Sequence, residues 1–234
     1  MQAVILAGGE GRRLRPLTND IPKPMVHIAG KPILEYTIRA LPKEVSEVVL
    51  VVGYKRDVIK THFGTMFDGR HIVYIEQDAP KGTGHALNLV HPVLRGNEFF
   101  LLYADDLYDP YDIAQCLKQT PSLLVKETSN PERFGVCTID GDNRLLALYE
   151  KVSNPPSNLA LIGVHVLNHE IFDIEEVYTP NGESNLSGRI GVWAKTRSIH
   201  VVKAGFWHPI GYPEDVQAAE QLDLSTHPCN SANN

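Results

Sequence analysis

The sequence predicts an α/β fold: a mostly parallel central sheet with helices on both faces, continued by a smaller mixed β lobe. Three observations carry this. Short runs rich in Val, Ile and Leu recur through the first half, each the length of a buried strand. Segments with helical spacing separate them, and that alternation is the signature of a parallel sheet. After Glu127 the rhythm changes, and apolar runs follow one another across turn-rich pieces.

The elements follow in order. "AVILA" from Ala3 is the first strand. A helix starts near Pro32, with Ile33, Tyr36, Thr37 and Leu41 on one face. "EVVLVVG" from Glu47 is a strand, followed by a helix from Arg56 to Phe63. "HIVYIE" from His71 precedes a helix from Thr83 to Val90. "FFLLYAD" from Phe99 precedes one from Tyr111 to Leu117, and "SLLVKE" from Ser122 is the next strand. "FGVCTID", "RLLALYE" and "LALIGVHVL" form the antiparallel or mixed extension. A last helix near Pro213 carries Val216, Ala219 and Leu222. Residues 1–224 read as one domain, divided near 127/128, and 225–234 as a flexible tail.

Composition narrows the function classes. The net charge of -6 argues against nucleic acid, which rewards clustered Lys and Arg. Cys116, Cys137 and Cys229 are odd in number and far apart, so neither a zinc site nor a disulfide framework is expected. Cys116 and Cys137 read as buried, inert thiols. The first residues lack a basic region, and no apolar run reaches the length of a membrane span, so a cytoplasmic location without membrane partners is expected.

The turn after the first strand reads "LAGGEGRRLRPLTNDIPKP". Gly8, Gly9 and Gly11 allow close backbone approach, and successive N–H groups in such a loop form an anion-binding concavity. Arg12, Arg13, Arg15 and Lys23 add a local excess of cations in an acidic chain. A polyphosphate is the natural partner. The dinucleotide fingerprint fails because Leu14 stands at its third glycine, and Gly53 ends the second strand without an acid for a ribose. A Walker A loop fails because Pro32 follows Gly30-Lys31.

This segment, extended through "MVHIAGKPIL", closely resembles the signature of the sugar-1-phosphate nucleotidyltransferases, or nucleotide-sugar pyrophosphorylases. The resemblance implies a Rossmann-like fold and transfer of a nucleotidyl group to a sugar 1-phosphate. It assigns Arg13 and Lys23 to the triphosphate and its transition state. Leu6, Ala7, Gly8, Gly9 and Gly11 line the nucleotide. Residues 1–127 become the nucleotide-binding half and 128–224 the sugar-binding half. Arg12 stands where the family often has a small hydroxyl residue, and either points outward or adds a phosphate contact. The resemblance runs from residue 2 to about 222 and is poorest between 176 and 200.

"EQDAPKGTGHAL" follows the third strand. The Gln77 amide offers a donor and an acceptor to the edge of uracil or thymine, with Gly82 and Thr83 supplying backbone contacts. "GTGHAL" resembles the uridylyltransferase branch, so UTP or dTTP is expected, the two left unseparated. "LLYADDLY" ends the fourth strand. Asp105 matches the family's metal-binding aspartate for Mg2+, with Asp106 in reserve. "GFWHPIGYPEDV" resembles a family segment whose second metal aspartate is here Pro209; His208, Glu214, Asp215 or Asn185, or water and phosphate, could stand in. On the sugar side, "ERFGV" places Gly135 against the sugar. "YEK" gives Glu150 to sugar hydroxyls and Lys151 to the sugar phosphate. Leu161 weakens a match to N-acetylglucosamine enzymes.

The expected partners are therefore a nucleoside triphosphate and a sugar 1-phosphate resembling glucose 1-phosphate, with homo-oligomerisation possible. Two other readings are a catalytically weak nucleotide-sugar-binding regulatory homologue and a cytidylyltransferase with another phosphate acceptor.

Overall fold

The computed structural model of the chain describes residues 1–224. The expected flexible tail, 225–234, and Cys229 within it lie outside the described residues. The chain opens with β1 (Gln2–Ala7). A long loop leads to a small ribbon, β2 (His27–Ile28) and β3 (Lys31–Pro32), and to α1 (Ile33–Arg39). β4 (Glu47–Val52), α2 (Arg56–Phe63), the short β5 (Met66–Phe67), β6 (Arg70–Glu76) and α3 (Thr83–Val90) lead to β7 (Glu98–Tyr103). β8 (Asp106–Tyr108), α4 (Pro110–Gln115), β9 (Ser122–Glu127), β10 (Gly135–Ile139), β11 (Leu145–Glu150) and β12 (Leu159–Asn168) follow. α5 (Leu186–Trp193), β13 (His200–Lys203), β14 (Trp207–Pro209) and α6 (Pro213–Glu220) complete it.

The main sheet runs β11-β10-β12-β7-β1-β4-β6-β5, with β9 and β13 joined through β12. β6, β4, β1 and β7 are parallel neighbours, and Ile5 at the centre lies opposite Leu50 on one side and Leu102 on the other. β1 is apolar without alternation because both of its faces are covered. Ala3, Ile5 and Ala7 join the core under α1, α2, α4 and α6. Val4 belongs to the opposite core, under α3 and α5.

The extension is antiparallel where it meets this sheet. β12 pairs with β7, β10 and β9, and β10 with β11. One expectation needs correction. "SLLVKE" does not continue the parallel series beside β7; β12 takes that place, and β9 lies beyond it, parallel only to β13. β12 can fill an interior position because its ten residues are nearly all buried, so both faces and both edges find partners.

The helices fall where expected, with one offset and one omission. α4 starts at Pro110, its N-terminus capped by Asp109, whose carboxylate accepts from the Tyr111 N–H at 2.7 Å. α5 was not anticipated, because Gly188 and Gly191 break the apolar period of "NLSGRIGVW". Gly188 is there for close approach: a Cβ on it would lie 2.6 Å from Val177 Cγ1. Cys116 and Cys137 are buried, and burial pushes both thiols up to about 12, leaving them inert at neutral pH.

Candidate active site

β4 and β6 extend the sheet to one side of β1, and β7 returns on the other. The crevice beyond the carboxyl ends of β1 and β7 is the point where such sheets bind ligands. A cleft of about 750 Å³ opens there. Its walls include Arg13, Lys23, Gly82, Thr83, Asp105, Gly135, Glu150 and Lys151. The cations after β1, the carboxylate after β7 and the residues expected on the sugar side thus share one cavity.

The first loop orients its cations by tight turns. Gly11 takes a left-handed conformation, φ 66°, and a Cβ there would lie 2.6 Å from Lys23 Cβ. It starts the 3-10 turn Arg12–Leu14, anchored by buried Leu14. Arg12 turns outward and forks onto Glu10, at 2.6 and 3.0 Å, and Arg15 lies 3.7 Å from the same carboxylate. Arg13 turns into the cleft, its guanidinium 5.2 Å from the centre of the Tyr212 ring. Lys23 heads a second 3-10 turn; its stem is buried and its ammonium donates to Asp105 Oδ2 at 2.8 Å.

Leu6, Ala7, Gly8, Gly9, Gly11 and Gln77, expected to line the nucleotide, are not part of the cleft wall. Gly8 packs so close to Gly53 and Gln77 that a Cβ on it would sit 3.3 Å from Gln77 Oε1. The Gln77 amide nitrogen donates to the Gly82 carbonyl at 3.1 Å and lies 3.0 Å from His85 Nδ1. Its donors are committed within the protein, so Oε1 is the part left to accept from a base.

On the far wall, Gly135 and Glu150 face each other across β10 and β11, and Lys151 Nζ lies 3.7 Å from Glu150 Oε1. Tyr103 and His165 lie deeper, edge to face with ring centres 6.0 Å apart. Burial, then the Glu150 and Asp105 carboxylates, push the Tyr103 phenol up to about 12. Burial alone pushes His165 down to about 4, and its Nδ1 has no hydrogen-bond partner. Leu161 lines the same wall.

The two aspartates after β7 are differently placed. Asp105 opens into the cleft with a side-chain exposure of 40%. Asp106 accepts from Trp207 Nε1 and from the Ile210 N–H, both at 2.9 Å, and so ties β14 to β8. Pro209 lies directly across from it and lines the cleft. Of the four side chains weighed to replace a carboxylate there, only Asn185 reaches the cleft wall. His208 Nε2 lies 2.9 Å from the Asp215 carbonyl, and the Asp215 carboxylate accepts from the Gly211 and Tyr212 N–H groups. Among the described residues no group of three or more His, Cys, Asp or Glu side chains is arranged to hold a metal ion.

Of the remaining wall residues, Ser184, Arg133 and Tyr212 carry no role in the sequence reading, and Asn185 only that of a replacement beside Pro209. Ser184 and Asn185 come from a segment pressed onto the start of α3, where a Cβ on Gly82 would lie 2.3 Å from the Ser184 carbonyl. Glu176 holds this segment, accepting from Ser184 Oγ at 2.6 Å and Asn88 Nδ2 at 2.7 Å. Ser184 bonding is the first cause that lowers the Glu176 pKa. Arg133 and Tyr212 complete the rim. Asn88 and Glu176 are 88 residues apart, and Arg13 and Tyr212 nearly two hundred, separations that no local pattern reports.

Comparison with known proteins agrees with this geometry. A profile described as nucleotidyl transferase matches residues 2–226. The chain is 36% identical over 232 residues to the bifunctional protein GlmU of Methanococcus aeolicus, covering 97% of this chain and 54% of that one. It spans about half the length of the GlmU relatives it matches. It is also 36% identical to the UTP–glucose-1-phosphate uridylyltransferase AglF of Haloferax volcanii, covering 94% of this chain and 96% of the relative. A solved structure of a putative glucose-1-phosphate thymidylyltransferase from Bacillus anthracis shares the fold, with a TM-score of 0.83 over 94% of each chain at 22% identity. Among the described residues no helix is long and apolar enough to cross a membrane. With a family profile spanning nearly its whole length and a relative of matching size, the chain belongs to the nucleotidyl transferase family.

Proposed function

We propose that this protein transfers a nucleotidyl group from a pyrimidine nucleoside triphosphate, UTP or dTTP, to a sugar 1-phosphate resembling glucose 1-phosphate, releasing pyrophosphate. The carrying observation is the common cleft: Arg13, Lys23 and Asp105 on one wall, Gly135, Glu150 and Lys151 on the other. Residues 1–127 take the nucleotide and 128–224 the sugar phosphate. The AglF likeness favours UTP and a hexose 1-phosphate.

The chemistry asks little covalent work of the protein. An oxygen of the sugar phosphate attacks the α-phosphorus in line; it is already anionic, so no general base is required. Negative charge grows on the α-phosphoryl group and the departing pyrophosphate. Arg13 and Lys23 neutralise it, and holding the two substrates in line supplies much of the remainder. Gln77 accepts from the base N–H through Oε1. Glu150 accepts from sugar hydroxyls, and Lys151 meets the sugar phosphate.

The residues fit Mg2+ carried by the triphosphate. Such an ion needs one or two carboxylates, its other positions filled by phosphate and water. Asp105 opens into the cleft beside Lys23 and can serve as that carboxylate. Bound there, Mg2+ supplies charge neutralisation of the reacting phosphates.

The test is pyrophosphate release across UTP, dTTP, CTP and GTP against a panel of sugar 1-phosphates, with Mg2+. Turnover confined to a pyrimidine triphosphate with a hexose 1-phosphate is expected. Pro209 favours a second reading, a nucleotide-sugar sensor, because it removes a carboxylate from the cleft. That reading wins if the protein binds the triphosphate and no pair of substrates releases pyrophosphate.

A further inference from the structure

The rim of the cleft holds an unusual grouping of charge. Arg13 comes from the first loop. Arg133 comes from the 3-10 turn Pro131–Arg133, more than a hundred residues later. Both guanidinium groups pack against one ring, Tyr212, at 5.2 and 5.3 Å from its centre. Two like charges on one neutral ring repel each other, and the pairing calls for a compensating anion. Arg13 has none among the described residues, and the one beside Arg133 is distant and shared. Among the described residues no carboxylate lies within 4.0 Å of Arg13, whereas Lys23 has Asp105 at 2.8 Å. The carboxylate nearest Arg133 is Asp215 at 3.9 Å, and its Oδ2 already accepts from two backbone N–H groups at 2.8 Å. Every other cation in the cleft wall has a closer carboxylate: Lys151 has Glu150 at 3.7 Å.

We infer that Arg133 is a third triphosphate-contacting cation, binding the polyphosphate chain together with Arg13, and that Tyr212 is the positioning residue that holds both guanidinium groups toward it. The inference rests on the nucleotidyl-transfer reading of the same cleft and assigns Arg133, a residue of the sugar-binding half, to the nucleotide. It also gives the closing segment a function. Asp106 and Asp215 fix the backbone of residues 207–212, and Tyr212 at its end bridges the two halves over the phosphates. Guanidinium groups suit this role because their forked donors match phosphate oxygens.

The experiment is calorimetric titration with UTP, with inorganic tripolyphosphate and with glucose 1-phosphate, all with Mg2+. The proteins are wild type, Arg133→Ala, Arg133→Lys, Tyr212→Phe, Tyr212→Leu and Arg13→Ala, each checked for a native circular dichroism spectrum. Arg133→Ala is expected to weaken UTP and tripolyphosphate about tenfold and to leave glucose 1-phosphate within about twofold. Arg133→Lys keeps part of that affinity. Tyr212→Phe behaves as wild type, because the ring remains, while Tyr212→Leu follows Arg133→Ala. Wild-type UTP affinity in Arg133→Ala, with Arg13→Ala impaired, overturns this inference and leaves the nucleotidyl-transfer reading standing. Loss confined to glucose 1-phosphate also overturns it. Wild-type protein that binds no triphosphate ends both.

Discussion

On the wall of the cleft that follows β1, the cations sit on one stretch of chain. Arg13 and Lys23 belong to two short turns after β1, and their directions follow from Gly11 and Leu14. On the opposite wall and rim, the residues come from β10, β11, β12, the segment before α5 and the segment after β14. They are held by contacts across the sheet: Asp106 on Trp207, Glu176 on Ser184 and Asn88, Gly82 against Ser184. The contrast teaches that a local backbone shape can present cations from one stretch of chain, whereas the opposite wall needs several elements held at fixed separation.

Four measurements break or sharpen this comparison. The largest effect is expected at Lys23. Its loss removes a cation from the reacting phosphates, and Lys23→Ala should cost about 3 kcal/mol of transition-state stabilisation, on the order of a hundredfold in turnover. Wild-type turnover in that variant would remove Lys23 from the chemistry. Next comes the seam between the halves. Gly82→Ala puts a methyl 2.3 Å from the Ser184 carbonyl at a φ of 93°, where side chains rarely fit. A loss of about 2–3 kcal/mol in urea unfolding is expected; an unchanged midpoint would mean that the 181–185 segment is not packed against α3.

His165 reports on the sugar side through pH. Its folded pKa is about 4, below the usual 6.5, so between these values the unfolded chain binds the extra proton. Stability is complete above about pH 6.5 and falls as the pH drops toward 4, with a contribution of about 2 kcal/mol lost by pH 5. Denaturation of wild type and His165→Phe at pH 8 and pH 5 checks this, since the variant lacks that component of the slope. The smallest effect is expected at exposed Arg12, which among the described residues pairs with half-buried Glu10 and is not part of the cleft wall. Arg12→Ala should keep turnover within about twofold. A drop comparable to that of Lys23→Ala would mean that the loop rearranges on binding.

Much of the fold was legible because it follows from residue order. Buried parallel strands read as unbroken apolar runs, and α1, α2 and α3 begin at their expected positions. α5 was not legible, because Gly188 answers to close packing on Val177 rather than to helix period, and Gly191 further breaks the apolar pattern. The direction of Arg12 was left open by sequence and decided by Glu10. At Pro209, His208 and Asp215 are engaged by neighbours and Glu214 lies outside the cleft wall, while Asn185 lines the wall but accepts through Oδ1 from the Gly188 N–H at 2.9 Å.

The sequence by itself determined the strand–helix alternation and the clustering of glycines and cations in the first loop, since both depend on residues adjacent in the chain. Only the tertiary structure decided that β12 rather than β9 lies beside β7, and that Arg133 shares a ring with Arg13. It also left Gln77 with a single free acceptor. The physical reason is common to all three: pairing across a sheet and contacts between distant loops are selected by which surfaces can be buried together, and the chain order does not encode that.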